Sequence, residues 1–249
     1  VCSSDLIAHQ PDGTLALKDI EAAIKIDDPH FARSRLLTLE NTLGGKRMPI
    51  NYLQQATDVA RTHGLATHLD GARLFIASAY TGITPAEYAS HFDTVYVSLW
   101  KYFNCGIGAI LAGPKSVLDG MFHVRRMFGG NLAVGWTAAL VARHFMNGFE
   151  GRLKSAVQAS EAFYAAMAKH PRVSIERIPN GTNLARMTFK GVGASQVARK
   201  LADRGIAMSA PQGPGPVTLG VNETWNRLPR SEEHTSELQS RFGISYAVF

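Results

Sequence analysis

The sequence predicts an α/β protein with a largely parallel sheet, followed by a smaller α+β unit. Up to residue 112, short apolar segments alternate with segments of helical period, which is the pattern of strands joined by helices. Beyond residue 114, long helical patterns precede a second group of short apolar segments. We therefore expect one domain over residues 7–150 and a small domain over residues 151–229.

The first domain is defined by apolar runs and by one clear helical period. Leu53, Ala56 and Val59 recur at helical spacing before Gly64, which predicts a helix over residues 51–63. A second, short helix is expected at residues 85–91. The predicted strands are the apolar runs at residues 36–39, 66–69, 94–99 and 107–112.

The region after residue 114 predicts long helices and then a second set of strands. The expected helices cover residues 115–128, 132–147 and 149–170, with glycines between them. The strands of the small domain are expected at residues 173–178, 184–189 and 217–221, with a helix at 194–204.

Composition argues against nucleic-acid and membrane proteins. The formal net charge is +6, but the basic residues are scattered, and the one compact basic cluster is Arg125 and Arg126. No apolar run approaches the ~20 residues needed to span a bilayer. The chain has only 2 cysteines, which predicts no disulfide and favours a cytoplasmic location.

Both ends of the sequence are expected to be foreign to the fold. The sequences VCSSDL at residues 1–6 and RSEEHTSELQS at residues 230–240 match translations of opposite strands of a common sequencing-library adapter. The origin of residues 241–249 is unknown. We therefore expect residues 7–229 to be an internal piece of a longer protein.

Charged residues follow two successive strands of the predicted parallel sheet. Ligands of such sheets bind beyond the carboxyl ends of the strands. The sequence HLDGAR puts Asp70 at one strand end with Arg73 close behind it, and VSLWK puts Lys101 just after the next strand. A lysine amine and a carboxylate suit pyridoxal phosphate, which needs an amine for a Schiff base and an acid for its ring nitrogen.

Each of these residues also has a purely structural interpretation. Asp70 and Arg73 can form a surface pair after an ordinary Asp-Gly turn, and Lys101 can be a strand end that surfaces into solvent. Ser98 can donate to a phosphate or simply end its strand. His68 shares a face with Asp70, but a core histidine is the commoner case, so His68 is left out of the predicted site.

Longer motifs in a fixed order resemble one enzyme family. The segment from HLDGAR to AILAG at residues 68–113, together with LENT, GGKRMP and RRMFGGNL, is similar to the low-specificity threonine aldolases. These are fold-type-I pyridoxal-phosphate enzymes related to β-eliminating lyases. The resemblance covers about residues 7–229, and it implies a large cofactor-binding domain, truncated at its N-terminus, with a small C-terminal domain.

The resemblance also implies roles for individual residues. Lys101 would be the Schiff-base lysine, Asp70 the partner of the pyridine nitrogen, and Arg73 a contact of the cofactor phenolate and the substrate carboxylate. His30 of HFARS, which resembles the HFPRT segment of the family, would be a candidate base. Ser98 is included as a cofactor contact on its position three residues before Lys101 and not on the resemblance. The implied reaction cleaves a β-hydroxy-α-amino acid such as threonine into glycine and an aldehyde, in a homodimer or homotetramer.

The sequence departs from the family pattern at several places. Leu43 replaces the histidine of the usual ENTHN motif, Trp100 replaces the serine before the lysine, and the arginine expected near PGPVTLGV is absent. The opening segment, of roughly a hundred residues by comparison with ordinary domain sizes, carries the phosphate-binding turn and has no counterpart here. The alternatives are therefore another pyridoxal-phosphate lyase, for instance a β-eliminating one, or an inactive truncated fragment.

Overall fold

The computed structural model describes residues 4–130, 133–211 and 213–226. The chain divides into two compact units, Val1–Asn147 and Gly148–Phe249. The predicted foreign tail at residues 230–249 lies outside the described residues, as do residues 1–3 of the predicted foreign start. Leu6, the last residue of that start, is 95% exposed.

In the described residues, the first unit contains one sheet with the strand order β1-β2-β3-β4. The strands pair in parallel from β1 to β3, whereas β4 runs antiparallel to β3. The prediction of a largely parallel sheet is therefore confirmed, with an antiparallel strand at its edge. The strands are β1 (Leu36–Glu40), β2 (Ala66–Asp70), β3 (Thr94–Ser98) and β4 (Ala109–Ala112).

The helices of the first unit include two that were not predicted, α1 and α3. The expected helix over residues 115–128 is divided into α5 and α6, because Gly120 between them takes a left-handed conformation with φ 83°. The helices are α1 (Leu17–Ala23), α2 (Ile50–Thr62), α3 (Leu74–Thr81), α4 (Pro85–Ala89), α5 (Lys115–Leu118), α6 (Met121–Met127) and α7 (Gly135–Met146).

One face of the sheet forms the core of the first unit. Leu39 and Leu69 point to this face and are buried together with Leu53, Ala56 and Ala60 of α2. Because side chains alternate along a strand, the next residues, Glu40 and Asp70, point to the opposite face. The same alternation that buries the leucines therefore places charged residues at the carboxyl ends of β1 and β2.

The second unit is a small α+β domain, as predicted. In its described part, β5 (Val173–Arg177), β6 (Leu184–Phe189) and β7 (Val217–Gly220) form an antiparallel sheet in the order β5-β6-β7. The helices are α8 (Phe149–Ala168) and α9 (Ala194–Ala202), with a 3₁₀ helix at Glu223–Asn226. The buried side chains of this unit include Met187, Leu201, Leu219 and Trp225.

An ion pair fixes the 3₁₀ helix against α8 within the second unit. The Arg152 Nε atom lies 2.6 Å from Glu223 Oε1, and the Trp225 indole N–H donates to the Gly220 carbonyl at 3.0 Å.

Among the described helices of the whole chain, none is both long and apolar enough to cross a membrane.

Candidate active site

The strands β1 and β2 end side by side at the carboxyl edge of the sheet. Glu40 and Asp70 are register partners in this parallel pair, and Asp70 is in turn the partner of Tyr96 on β3. The backbone N–H of Asn41 donates to the Asp70 carbonyl at 3.0 Å, which extends the pairing one residue beyond β1. Groups that follow these strands are thus held at neighbouring positions.

Asp70 is fixed by the loop that leaves β2. Its Oδ1 atom accepts the backbone N–H of Ala72 at 3.0 Å, and the side chain is half-buried. Gly71 lies so close to β3 that a β-carbon there would come 2.7 Å from the Tyr96 carbonyl oxygen. After this tight exit, Arg73 is the residue that immediately precedes α3.

Lys101 lies in the turn that follows β3, and buried aromatic residues anchor this turn. Phe103 is fully buried, and its ring packs on Tyr102 at 4.6 Å and on Phe75 of α3 at 5.1 Å between ring centroids. Burial raises the pKa of the Tyr102 hydroxyl far above its ordinary value. Lys101 itself is half-buried, and its Nζ atom lies 5.5 Å from the centre of the exposed Trp100 ring.

Charged side chains from several elements converge at this edge. The pKa of Glu40 is raised, first by burial and then by the negative charge of Asp70, and the positive charges of Arg73 and Lys101 oppose this rise. The structure therefore brings the predicted residues Asp70, Arg73 and Lys101 within electrostatic reach of one carboxylate.

Glu40 was not among the predicted site residues. The signal that identifies it is the one that pointed to Asp70, a charged residue directly after an apolar strand. Glu40 also lies within the LENT motif.

Buried polar atoms at the same edge have no hydrogen-bond partner among the described residues. They are Ser98 Oγ at the end of β3, and Asn41 Nδ2 and Thr42 Oγ1 just after β1. Burying such groups without a partner costs about 1–3 kcal/mol each. A bound polar ligand would satisfy them, so the donors at this edge fit a molecule with several oxygen atoms.

The structure does not bring His30 to this edge. His30 precedes the amino end of β1, its side chain is 88% exposed, and its Nδ1 atom lies 2.8 Å from the Asp28 carboxylate. Its role as a base stays a prediction without support from this arrangement. His68 is half-buried, with Nδ1 2.7 Å from Thr94 Oγ1, and burial lowers its pKa.

Known proteins match both the sequence and the fold. The Beta-eliminating lyase family model matches residues 3–209. The Low specificity L-threonine aldolase of Escherichia coli (strain K12) is 39% identical over 121 residues, which are 49% of this chain and 36% of that protein. Alanine racemase TOXG of Cochliobolus carbonum is 36% identical over 130 residues, which are 52% of this chain and 33% of that protein.

A solved structure of Leishmania major threonine aldolase has the same fold. Its TM-score is 0.66 at 20% identity, over 95% of this chain and 70% of that chain. The chain spans only 36% and 33% of the length of the two curated relatives above. The predicted fold class and the resemblance to the threonine aldolases are confirmed, and the family model covers most of the sequence. The chain belongs to the β-eliminating lyase family.

Proposed function

We propose that this protein is a pyridoxal-phosphate-dependent aldehyde-lyase that cleaves β-hydroxy-α-amino acids such as threonine into glycine and an aldehyde. Family membership and the similarity to the Escherichia coli threonine aldolase support this proposal. The observation that carries it is the convergence of Asp70, Arg73 and Lys101 at the carboxyl edge of the sheet.

The residues at this edge fit pyridoxal phosphate chemically. Lys101 would supply the amine that attaches the cofactor, and the unpartnered Ser98 hydroxyl would donate to its phosphate. When bound, the cofactor supplies an electron-accepting ring that stabilises negative charge on the substrate α-carbon. Members of the β-eliminating lyase and threonine aldolase families depend on this cofactor.

The side chains of this protein would then orient the substrate and control protons. The Asp70 carboxylate, held by the Ala72 N–H, would keep a proton on the ring nitrogen. The Arg73 guanidinium would bind the substrate carboxylate, which aligns the bond to be cleaved. The Lys101 amine would return a proton to the α-carbon after cleavage.

A second candidate is a related pyridoxal-phosphate enzyme that acts on a different amino acid. Leu43 and the exposed Trp100 replace residues that the aldolases commonly carry, and the matching relatives include an alanine racemase. A large exposed ring directly beside Lys101 would change the space available to the substrate side chain. This candidate keeps the same cofactor and the same lysine.

We further propose that the protein acts in the cytoplasm as a homodimer or homotetramer. The low cysteine content supports the location. Exposed apolar side chains from α6 to α7 support self-association, since single domains rarely leave so many uncovered. They include Met127, Phe128, Trp136 and Leu140, which are 75%, 85%, 65% and 55% exposed.

Borohydride trapping tests the site assignment. The protein is incubated with pyridoxal phosphate, reduced and digested, and the modified peptide is identified by mass spectrometry. We expect the label on Lys101 and none in a Lys101→Ala variant. Lys115→Ala is the matched control, because Lys115 is an exposed lysine of α5 that pairs with Asp119, and its loss should leave the labelling unchanged.

Substrate assays distinguish the two candidate functions. They use protein that is loaded with pyridoxal phosphate but not reduced. Release of acetaldehyde from threonine supports the aldolase. Trapping on Lys101 without threonine cleavage, but with turnover of another amino acid, supports the second candidate. Labelling of a different lysine would overturn the site for both.

A further inference from the structure

Glu40 and Asp70 form a pair of adjacent carboxylates at the ends of β1 and β2. They are register partners, and neighbouring strands lie about 4.8 Å apart, so their side chains leave the same face of the sheet next to each other. Two carboxylates at this spacing repel one another unless positive charge or protons compensate.

The two carboxylates differ in their local support. Asp70 accepts a backbone N–H from Ala72, whereas the Glu40 carboxylate accepts no hydrogen bond within the described part of the chain. Glu40 is half-buried and therefore only partly hydrated. Its stability as an anion depends on the charged groups around it.

Charged groups face Glu40 from each neighbouring element. They are Asp70 on β2, Arg73 before α3, Lys101 after β3 and His9 in the segment before α1. Burial and Asp70 raise the pKa of Glu40, and Arg73, Lys101 and His9 lower it. The interaction is mutual, since a carboxylate that is stabilised by a cation stabilises that cation equally.

We propose that Glu40 is a positioning residue of the cofactor site, whose negative charge balances the positive charges that Arg73 and Lys101 bring to the ends of the strands. This inference rests on the proposed function and deepens it. Asp70 would be committed to the ring nitrogen, so Glu40 is the carboxylate that remains to balance the two cations. The role requires only charge at this position and no contact with the reacting atoms.

The pH dependence of the bound cofactor's visible absorbance reports on this role. Loss of a negative charge close to a nitrogen favours its unprotonated form, so the midpoint of the titration should move to lower pH. The Glu40 carboxylate is half-buried and makes no direct contact with the nitrogen, so the expected shift of the midpoint is about one pH unit. A purely structural role of Glu40 would leave the midpoint where it is.

The experiment titrates the protein loaded with pyridoxal phosphate and three variants. Glu40→Gln should move the midpoint of the titration down by about one pH unit. Glu40→Asp keeps the charge, so its midpoint should lie close to that of the unaltered protein. Glu21→Gln is the matched control, because Glu21 is an exposed glutamate of α1 and the substitution changes the net charge equally. It should titrate like the unaltered protein.

The outcomes separate this inference from the proposed function. If the unaltered protein titrates and Glu40→Gln titrates at the same pH, Glu40 has no such role while the proposed function stands. If the unaltered protein develops no visible absorbance with the cofactor, the proposed function fails first. If Glu40→Gln does not fold by circular dichroism, Glu40→Asp decides, because a titration of the Asp variant that moves to higher pH would overturn the inference.

Discussion

Gly71 lies against the backbone carbonyl of Tyr96, so that a β-carbon at position 71 would come within 2.7 Å of that oxygen. The same β-carbon would also approach Leu74 Cβ at 3.2 Å and Val95 Cγ1 at 3.3 Å. A carbonyl oxygen within a sheet cannot rotate away as a flexible side chain can. The glycine of the DGAR motif is therefore required by close approach of the two strand ends.

We expect Gly71→Ala to lower the free energy of unfolding by about 1–3 kcal/mol, the usual cost of overpacking. The substitution must push the β2 exit away from β3, so retention of pyridoxal phosphate should weaken as well. Urea denaturation and absorbance after dialysis measure the two effects. Gly106→Ala is the control, since a β-carbon there meets no atom within 4 Å, and equal stability of both variants would contradict the argument.

Asp70→Asn should separate cofactor binding from turnover. The amide keeps the shape of the side chain and an oxygen for the Ala72 N–H, so the cofactor should still bind. On the proposed function, the ring nitrogen would lose its anionic partner, and kcat should fall by at least about a hundredfold. Asp58→Asn serves as the control because Asp58 is an exposed residue of α2, paired with Arg61.

The measurement compares bound-cofactor absorbance with steady-state rates for the two asparagine variants. A fully active Asp70→Asn protein would exclude the assigned role. Loss of cofactor from this variant would instead mean that Asp70 contributes to binding, and the prediction as stated would be wrong.

The sequence was sufficient to locate the strands that carry the site. Short apolar runs predicted β1 to β3, and the rule that ligands bind beyond the carboxyl ends of parallel strands pointed to Asp70 and Lys101. The direction of β4 could not be read, because a short apolar run is compatible with either direction. Helix α3 was missed because Leu74, Ile76 and Ala77 are all buried, which removes the amphipathic period.

His30 and Glu40 show what the sequence alone does not provide. His30 was assigned by resemblance alone. It precedes the amino end of β1, whereas Asp70 and Lys101 follow the carboxyl ends of β2 and β3, and its role as a base stays a prediction. Glu40 ends β1 directly after an apolar run, so the sequence marks it as it marks Asp70. The sequence does not show the register of β1 with β2, which pairs the two residues. Register is a tertiary property, and a single sequence does not contain it in readable form.

The Tyr52 hydroxyl ties the N-terminal segment to α2. It accepts the backbone N–H of Leu15 at 2.9 Å, in a buried position. Tyr52→Phe would leave that N–H buried without a partner, and we expect a loss of about 1–3 kcal/mol in unfolding free energy.

Tyr88→Phe provides the contrasting control for this measurement. The Tyr88 hydroxyl donates to Thr81 Oγ1 at 3.2 Å, and Thr81 also donates to the Ala77 carbonyl. Removing Tyr88's hydroxyl leaves no orphaned backbone group there, so its cost should stay below about 1 kcal/mol. Equal losses in both variants, by urea denaturation, would speak against the Leu15 contact.

His68 should make the stability of the protein depend on pH between about pH 5 and pH 7.5. Burial lowers the pKa of His68 below its ordinary value of 6.5 in the folded protein. As pH falls below 6.5, the unfolded chain therefore takes up a proton before the folded one, and the folded state loses stability. The contribution of neutral His68 is fully present above the unfolded pKa.

The His68→Asn variant lacks this titration but keeps a polar atom near Thr94 Oγ1. The unaltered protein should therefore lose stability relative to the variant on going from pH 7.5 to pH 5, because protons bind the unfolded chain at His68 more readily than the folded one. All other histidines are common to both proteins, so their contributions cancel in the difference. The reverse slope would mean that the protonated ring is the favoured form, held by the nearby Asp70 charge more strongly than burial opposes it.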